Sequence, residues 1–177
     1  MNEAALIASL SRRIEALEAQ VAVRAVVADY MRLCDRLDAS TPMAQLADLF
    51  TEDAQWLGTG ARYAAAFGER RGRAAIVAMF EGYREPPHFA FNAHFLTSEK
   101  IVVNGDSALG SWLMLQTATY AHGASDLRGA LLRIGFARCA DRWRMQRFET
   151  ENLFSRPVGR WNDPASIPVP PTSRSPP

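Results

Sequence analysis

HFAFNAHFLTSEKIVVNGDSALGSWLMLQTATYA, residues 88–121, is the stretch that decides the fold. It is rich in aromatic and β-branched residues, and Asn104-Gly105-Asp106 divides it with a strong hairpin signal. Two long strands are expected, over 88–103 and 107–121. Past the turn His122-Gly123-Ala124-Ser125, residues 128–139 and 143–154 read as two more, joined at Ala140-Asp141. Four such strands form a meander that can curve around a pocket, with helices packed on one side.

Upstream the pattern is helical. Pro86-Pro87 stops a helix that Gly72-Arg73 introduces and that carries Ile76, Met79 and Phe80 on one face as far as about Tyr83. Gly58, Gly60 and Gly68 make 58–71 read as a loop, and 54–57 as a short strand. Thr41-Pro42 offers an N-cap and a first-turn proline to a helix with Met43, Leu46, Leu49 and Phe50 inward, which Thr51-Glu52-Asp53 closes. Residues 3–37 read as one long helix, apolar at Leu6, Leu10, Ile14, Leu17 and Val21, with charges between and no Gly or Pro. Its first part, 1–20, is expected to be an extension that meets a partner or solvent. Beyond Phe154 prolines accumulate, which excludes a helix or central strand over 156–177. That tail is expected to begin ordered near Trp161 and to end loose. The expectation is one domain over 1–155 and a tail.

Composition narrows the function. The chain has 177 residues, of which 48% are hydrophobic, so a real core can form. A formal charge of +1 gives no electrostatic case for nucleic acid or an anionic membrane. No apolar run reaches the roughly 20 residues that cross a bilayer, and the Met1-Asn2-Glu3-Ala4 start has no basic leader pattern. A cytoplasmic protein is expected. Cys34 and Cys139 are too few and too far apart for a disulfide framework or zinc knuckle. No metal site is expected from His88 and His94 either, and no cofactor motif is present.

The order of these elements resembles the SnoaL-like branch of the nuclear-transport-factor-2-like superfamily. The carriers are Tyr30-Met-Arg-Leu-Cys-Asp35, Leu49-Phe50-Thr51-Glu52-Asp53-Ala54-Gln55-Trp56, Gly72-Arg73-Ala74-Ala75-Ile76, His94 ahead of Ile101-Val102-Val103-Asn104-Gly105-Asp106, and Asp141-Arg142-Trp143-Arg144-Met145. The fold this implies is α+β: a cone-shaped α+β barrel, with three N-terminal helices packed on a strongly curved antiparallel sheet. Within the superfamily the motif is most similar to bile acid 7α-dehydratase and scytalone dehydratase. The resemblance implies three roles: Tyr30 as hydroxyl donor, Asp35 as charge stabiliser and His94 as proton-transfer base. It also aligns Gln116 and Asn152 with pocket residues of the dehydratase, where that enzyme has an Asp and an Arg.

The residues themselves suit those roles. Imidazole titrates near neutral pH, so His94 can accept and return a proton. Asp35 lies five residues beyond Tyr30, so the two can share a helix face. A buried Asp there needs a partner, and Asp38, about one turn on, is a second candidate for that partnership and for substrate contact. A phenol at Tyr30 could stabilise a developing oxyanion. Trp56 and Trp112 are candidate walls of an apolar substrate pocket. Arg62, Arg70, Arg71 and Arg73 read as a solvated patch or a lid over an acidic substrate. The expected function is a cofactor-independent lyase, a dehydratase acting on a hydrophobic, polycyclic steroid-like or polyketide-like carbonyl compound. An isomerase or polyketide cyclase using the same enolate stays open, as does a non-catalytic assembly subunit like the small subunit of ring-hydroxylating dioxygenases. The fold usually covers its outer sheet face by association, so a homodimer or homotrimer is expected.

Overall fold

Amphipathic spacing places the second half of the first helix, α1 (Glu3–Asp35), on the core. Val23, Val26, Val27, Tyr30, Met31 and Cys34 are buried along one stripe, while Leu6, Leu10, Ile14, Leu17 and Val21 stay exposed. These positions come from a computed structural model of the chain that describes residues 3–159. The remainder, including Trp161 and most of the Pro-rich segment, lies outside the described residues.

After α1 come α2 (Met43–Asp48), β1 (Phe50–Thr59), α3 (Gly60–Phe67), β2 (Glu69–Arg71), α4 (Arg73–Glu81) and four long strands, β3 (Phe89–Asn104), β4 (Ser107–Tyr120), β5 (Ser125–Cys139) and β6 (Arg142–Val158). The long strands match the expected meander. Gly105 at φ 57° takes the left-handed position of the first hairpin loop, which glycine adopts without strain. The turn after Cys139 places Ala140 in the same region, at φ 53°.

The cone-shaped barrel with three helices and an all-antiparallel, strongly curved sheet is not what the chain forms. The six strands make one open sheet in the order β2-β1-β6-β5-β4-β3, with β2 and β3 as edges, neither closed nor strongly curved. The sheet is mixed, because β1 runs parallel to β6 with Trp56 beside Phe148. Four helices pack with it. Three local misreadings account for the difference. Thr51-Glu52-Asp53 does not close a helix but opens β1. Between Gly60 and Gly68 the alanine-rich segment forms a two-turn helix, since alanine favours helix more than flanking glycines oppose it. The three residues of β2 are too few to show any alternation. Thr41 is not an N-cap. Pro42 holds that position, and the Thr41 hydroxyl donates to the Arg36 carbonyl at 2.5 Å.

Alternation then sets the inner face. Ala108, Trp112, Met114, Gln116 and Ala118 of β4 are buried, as are Ala130, Leu132, Ile134 and Phe136 of β5. Phe50, Leu46, Ile76, Val23 and Met145 close the core against this face. Gly58 has a packing reason: a Cβ there would lie 2.2 Å from the Tyr63 carbonyl oxygen.

Candidate active site

The last turn of α1 is latched onto β3. The Asn92 amide donates to the Cys34 carbonyl at 3.2 Å, satisfying a carbonyl that a helix end would leave unpaired. Two residues along the strand, the His94 ring nitrogen Nδ1 lies 2.6 Å from Asp35 Oδ1, and the His94 backbone N–H points at Asp35 Oδ2. The two side chains are 10% and 26% exposed. In the neutral ring a carboxylate acceptor places the proton on Nδ1 and leaves the lone pair on Nε2.

His94 lines a cavity of about 240 Å³ enclosed by α1, α3, α4 and the inner sheet face. Asp35 is not among its lining residues and stands behind the imidazole. Tyr30 also lines it. Its ring packs on Phe50, Phe80 and Phe148, and its hydroxyl accepts from Trp56 Nε1 at 3.0 Å. That leaves the phenol proton for Cys34, a weak sulfur acceptor that a substrate oxygen can displace. Burial raises the Tyr30 pKa well above its usual value, so this group stays a donor. Burial likewise pushes the Cys34 thiol up to about 12, which removes it as a nucleophile. Trp56 stacks on Phe148, 5.5 Å apart and 11° from parallel, as a flat wall.

The amides form a chain whose polarity is fixed at one end. Only an N–H can face the Cys34 carbonyl, so Asn92 turns its oxygen to Gln116, whose Nε2 donates at 2.7 Å. The Gln116 carbonyl oxygen is then left for the cavity it lines.

The comparisons with known proteins agree with this architecture. The SnoaL-like domain profile matches residues 15–149. The chain belongs to the SnoaL-like domain family. No curated protein matches it. Among solved structures, it is similar to a nuclear-transport-factor-2-like protein with a cystatin-like fold from Novosphingobium aromaticivorans. Identity is 27%, TM-score 0.66, with 81% of this chain and 88% of that one covered. It is also similar to a hexachlorocyclohexane dehydrochlorinase from Novosphingobium barchaimii, at 17% identity and TM-score 0.67, covering 88% and 97%. A protein assigned as a scytalone dehydratase from Novosphingobium aromaticivorans gives 18% and 0.66, covering 83% and 95%. At the last two identities the likeness is one of fold.

In this SnoaL-like domain Tyr30, His94, Trp56 and Gln116 line one cavity. Asp38, Trp112 and Asn152, the other expected substrate contacts, do not. Asp38 is turned to its own loop, where the Ser40 hydroxyl and backbone N–H hold its carboxyl below the usual range. Trp112 is buried, but its Nε1 donates to Glu99 Oε2 at 3.1 Å. Asn152 sits at a register shift where Gly129 pairs with Phe154 and Ala130 with Asn152, and its amide is taken up by the Phe154 carbonyl at 2.9 Å and Ser155. The arginines before α4 form no lid as a group. Arg73 binds the Phe50 carbonyl and Glu52, Arg70 the Phe67 carbonyl, and Arg71 pairs with Glu69.

Arg128 and Asn92 line the cavity and were not singled out from the sequence; Tyr63 and His88 line it too. One signal could have found Arg128: it stands two positions before a run of buried alternate residues, opposite Gln116. Its guanidinium is 18% exposed and pairs through Nε and Nη2 with Asp126 Oδ2, both at 2.8 Å. Burial lowers the Arg128 pKa, and the neighbouring Tyr63 opposes that shift. His88 is exposed at the mouth, where burial and then the Arg128 charge lower its pKa.

Among the described residues no helix is long and apolar enough to cross a membrane, and no cluster of potential metal ligands occurs.

Proposed function

We propose that this protein is a cofactor-independent carbon–oxygen lyase acting on a hydrophobic carbonyl compound. The observation that carries this reading is the Asp35–His94 pair, with the imidazole lining an apolar cavity that Tyr30 also lines. His94 Nε2 takes the proton α to the carbonyl, and the C–H electron pair forms an enolate whose oxygen is held by the Tyr30 O–H. Asp35 stabilises the imidazolium. The carbonyl re-forms as the β carbon–oxygen bond breaks, the departing oxygen takes the proton back from His94, and water leaves. Two structural relatives, a hexachlorocyclohexane dehydrochlorinase and a protein assigned as a scytalone dehydratase, are named for eliminations.

The cavity volume bears on the substrate. About 240 Å³ is below the usual span of ligand sites, roughly 300 to 1,000 Å³. That favours a compact, flat, polyketide-like ring system over a full steroid skeleton. The same cavity weighs against a purely structural subunit, whose interior has no reason to stay open. Isomerisation or aldol cyclisation would use the same enolate. Exposed Phe95, Leu109 and Leu113 on the outer face of the sheet fit association of this domain into a homodimer or homotrimer.

A screen of compact β-hydroxy ketones for new conjugated-enone absorbance tests the reading. Turnover is expected from the wild type and is lost in His94→Ala with the circular dichroism spectrum and Tm retained. Turnover that survives in a folded His94→Ala protein rejects it.

A further inference from the structure

The strand register lines up three side chains in one row across the inner face. His94 of β3 pairs with Gln116 of β4, which pairs with Arg128 of β5. Directly opposed residues point to the same face, and all three line the cavity. Neighbouring strands are about 4.8 Å apart, so the backbones carrying the base and the guanidinium are separated by roughly 10 Å. The cavity therefore has a proton-transfer end and a cationic end.

The cationic end is built. Arg128 is held by Asp126 at 2.8 Å, by Tyr63, and by the Tyr120 ring 5.5 Å from its centroid. Tyr120 in turn donates to Asp126 Oδ2 at 3.0 Å. Asp126 occupies only Nε and Nη2, so Nη1 has no carboxylate partner. Asp126 Oδ1 is buried with no hydrogen-bond partner, so the carboxylate itself is incompletely satisfied. The charges do not cancel. Arg62 acts electrostatically on both Asp126 and Arg128 and forms no ion pair among the described residues, so its positive charge adds to that of Arg128. His88 adds no negative charge.

A half-buried guanidinium that lines an open cavity with Nη1 outside its carboxylate pair can receive an anion from that cavity. Gln116, next in the row, presents its carbonyl oxygen and adds no charge. We propose that Arg128, supported by Arg62, is a carboxylate-binding subsite, and that the ligand of this cavity is a compact hydrophobic acid whose carboxylate lies at the β5 end, away from His94. This rests on the proposed function only in calling that ligand the substrate.

Calorimetric titration of the full chain with 2-naphthoate and its neutral counterpart 2-naphthamide tests it. Naphthoate is expected to bind the wild type at least tenfold more tightly than the amide, with the advantage shrinking as salt rises. Arg128→Gln removes the advantage and leaves amide binding within a fewfold. Arg62→Gln, a surface change, lowers naphthoate affinity a fewfold and spares the amide. Equal affinities in the wild type overturn the proposal, as does an acid preference that persists in Arg128→Gln. If Arg128→Gln does not fold, Arg128→Lys decides. It retains the charge but not the fork, so a reduced acid preference supports the subsite and an unchanged one overturns it. His94→Ala separates the two readings, because it is expected to retain the acid preference whether or not it loses turnover.

Discussion

The two ends of the cavity are built alike and suit different tasks. At each, a carboxylate outside the cavity stands behind a basic group that lines it: Asp35 behind His94 and Asp126 behind Arg128. Both carboxylates are largely sheltered, 26% and 15% exposed. The difference is in the partner. Imidazole changes its charge near neutral pH, so the Asp35 end can move a proton. A guanidinium stays charged under any ordinary condition, so the Asp126 end can only hold one. On the proposed function, the same construction serves proton transfer at one end and recognition at the other, according to the titration range of the group in front.

The strongest way to break this comparison is at Asp35. Asp35→Asn keeps the size and a hydrogen-bonding atom but loses the charge that stabilises the imidazolium. Turnover is expected to fall roughly 10²–10⁴-fold, measured as enone formation, with Tm little changed. A loss of less than tenfold would mean that the Asp35–His94 pair does not carry proton transfer.

Tyr30→Phe sharpens the first end by removing one donor and keeping the ring packed among Phe50, Phe80 and Phe148. About 3 kcal/mol of oxyanion stabilisation should go, roughly a hundredfold in kcat. Because burial raises the phenol pKa, the protonated donor persists past its usual titration near 10. No decline in rate from Tyr30 ionisation is therefore expected below about pH 10, in a kcat–pH profile taken on protein shown to be folded. An alkaline limb below that range that Tyr30→Phe abolishes would contradict the assignment.

Asn92→Leu acts on what joins the ends. It frees the Cys34 carbonyl and the Gln116 amide from their shared partner, which should cost about 1–3 kcal/mol of stability in denaturant titration. No loss of stability would show that water replaces that amide, and that the row from His94 to Arg128 is not held by it.

The smallest effect belongs to Asp38→Asn. Its carboxylate serves the Ser40 turn, so turnover should change less than twofold. A loss as large as that of Asp35→Asn would move the partnership of His94 to the other carboxylate.

The sequence disclosed the first end better than the second, for physical reasons. Tyr30 and Asp35 share a helix face at fixed spacing, and Asn104-Gly105 fixes the hairpin that brings β3 against β4. His94 was therefore legible as a strand residue, and its meeting with the helix end was what the resemblance implied. Arg128 was not, because it begins the segment that reads as β5, where an arginine looks like a solvated terminus. Its burial follows from pairing with Gln116, a contact that turn chemistry alone does not announce. Asn152 was misplaced for a related reason: the register shift beside Gly129 is invisible in an alternating pattern, and one residue of slip changes which way a side chain turns. The open, mixed sheet was missed because nothing in 50–59 says which strand β1 will join.

The most direct test of the central claim is deuterium wash-in at the α-carbon of 2-tetralone in D₂O, followed by proton NMR with wild type, His94→Ala and Asp35→Asn. The account predicts protein-catalysed exchange that falls to the background rate in His94→Ala and falls strongly in Asp35→Asn. Exchange at the wild-type rate in both variants would contradict it, since the cavity would then be moving protons without the imidazole assigned to do so.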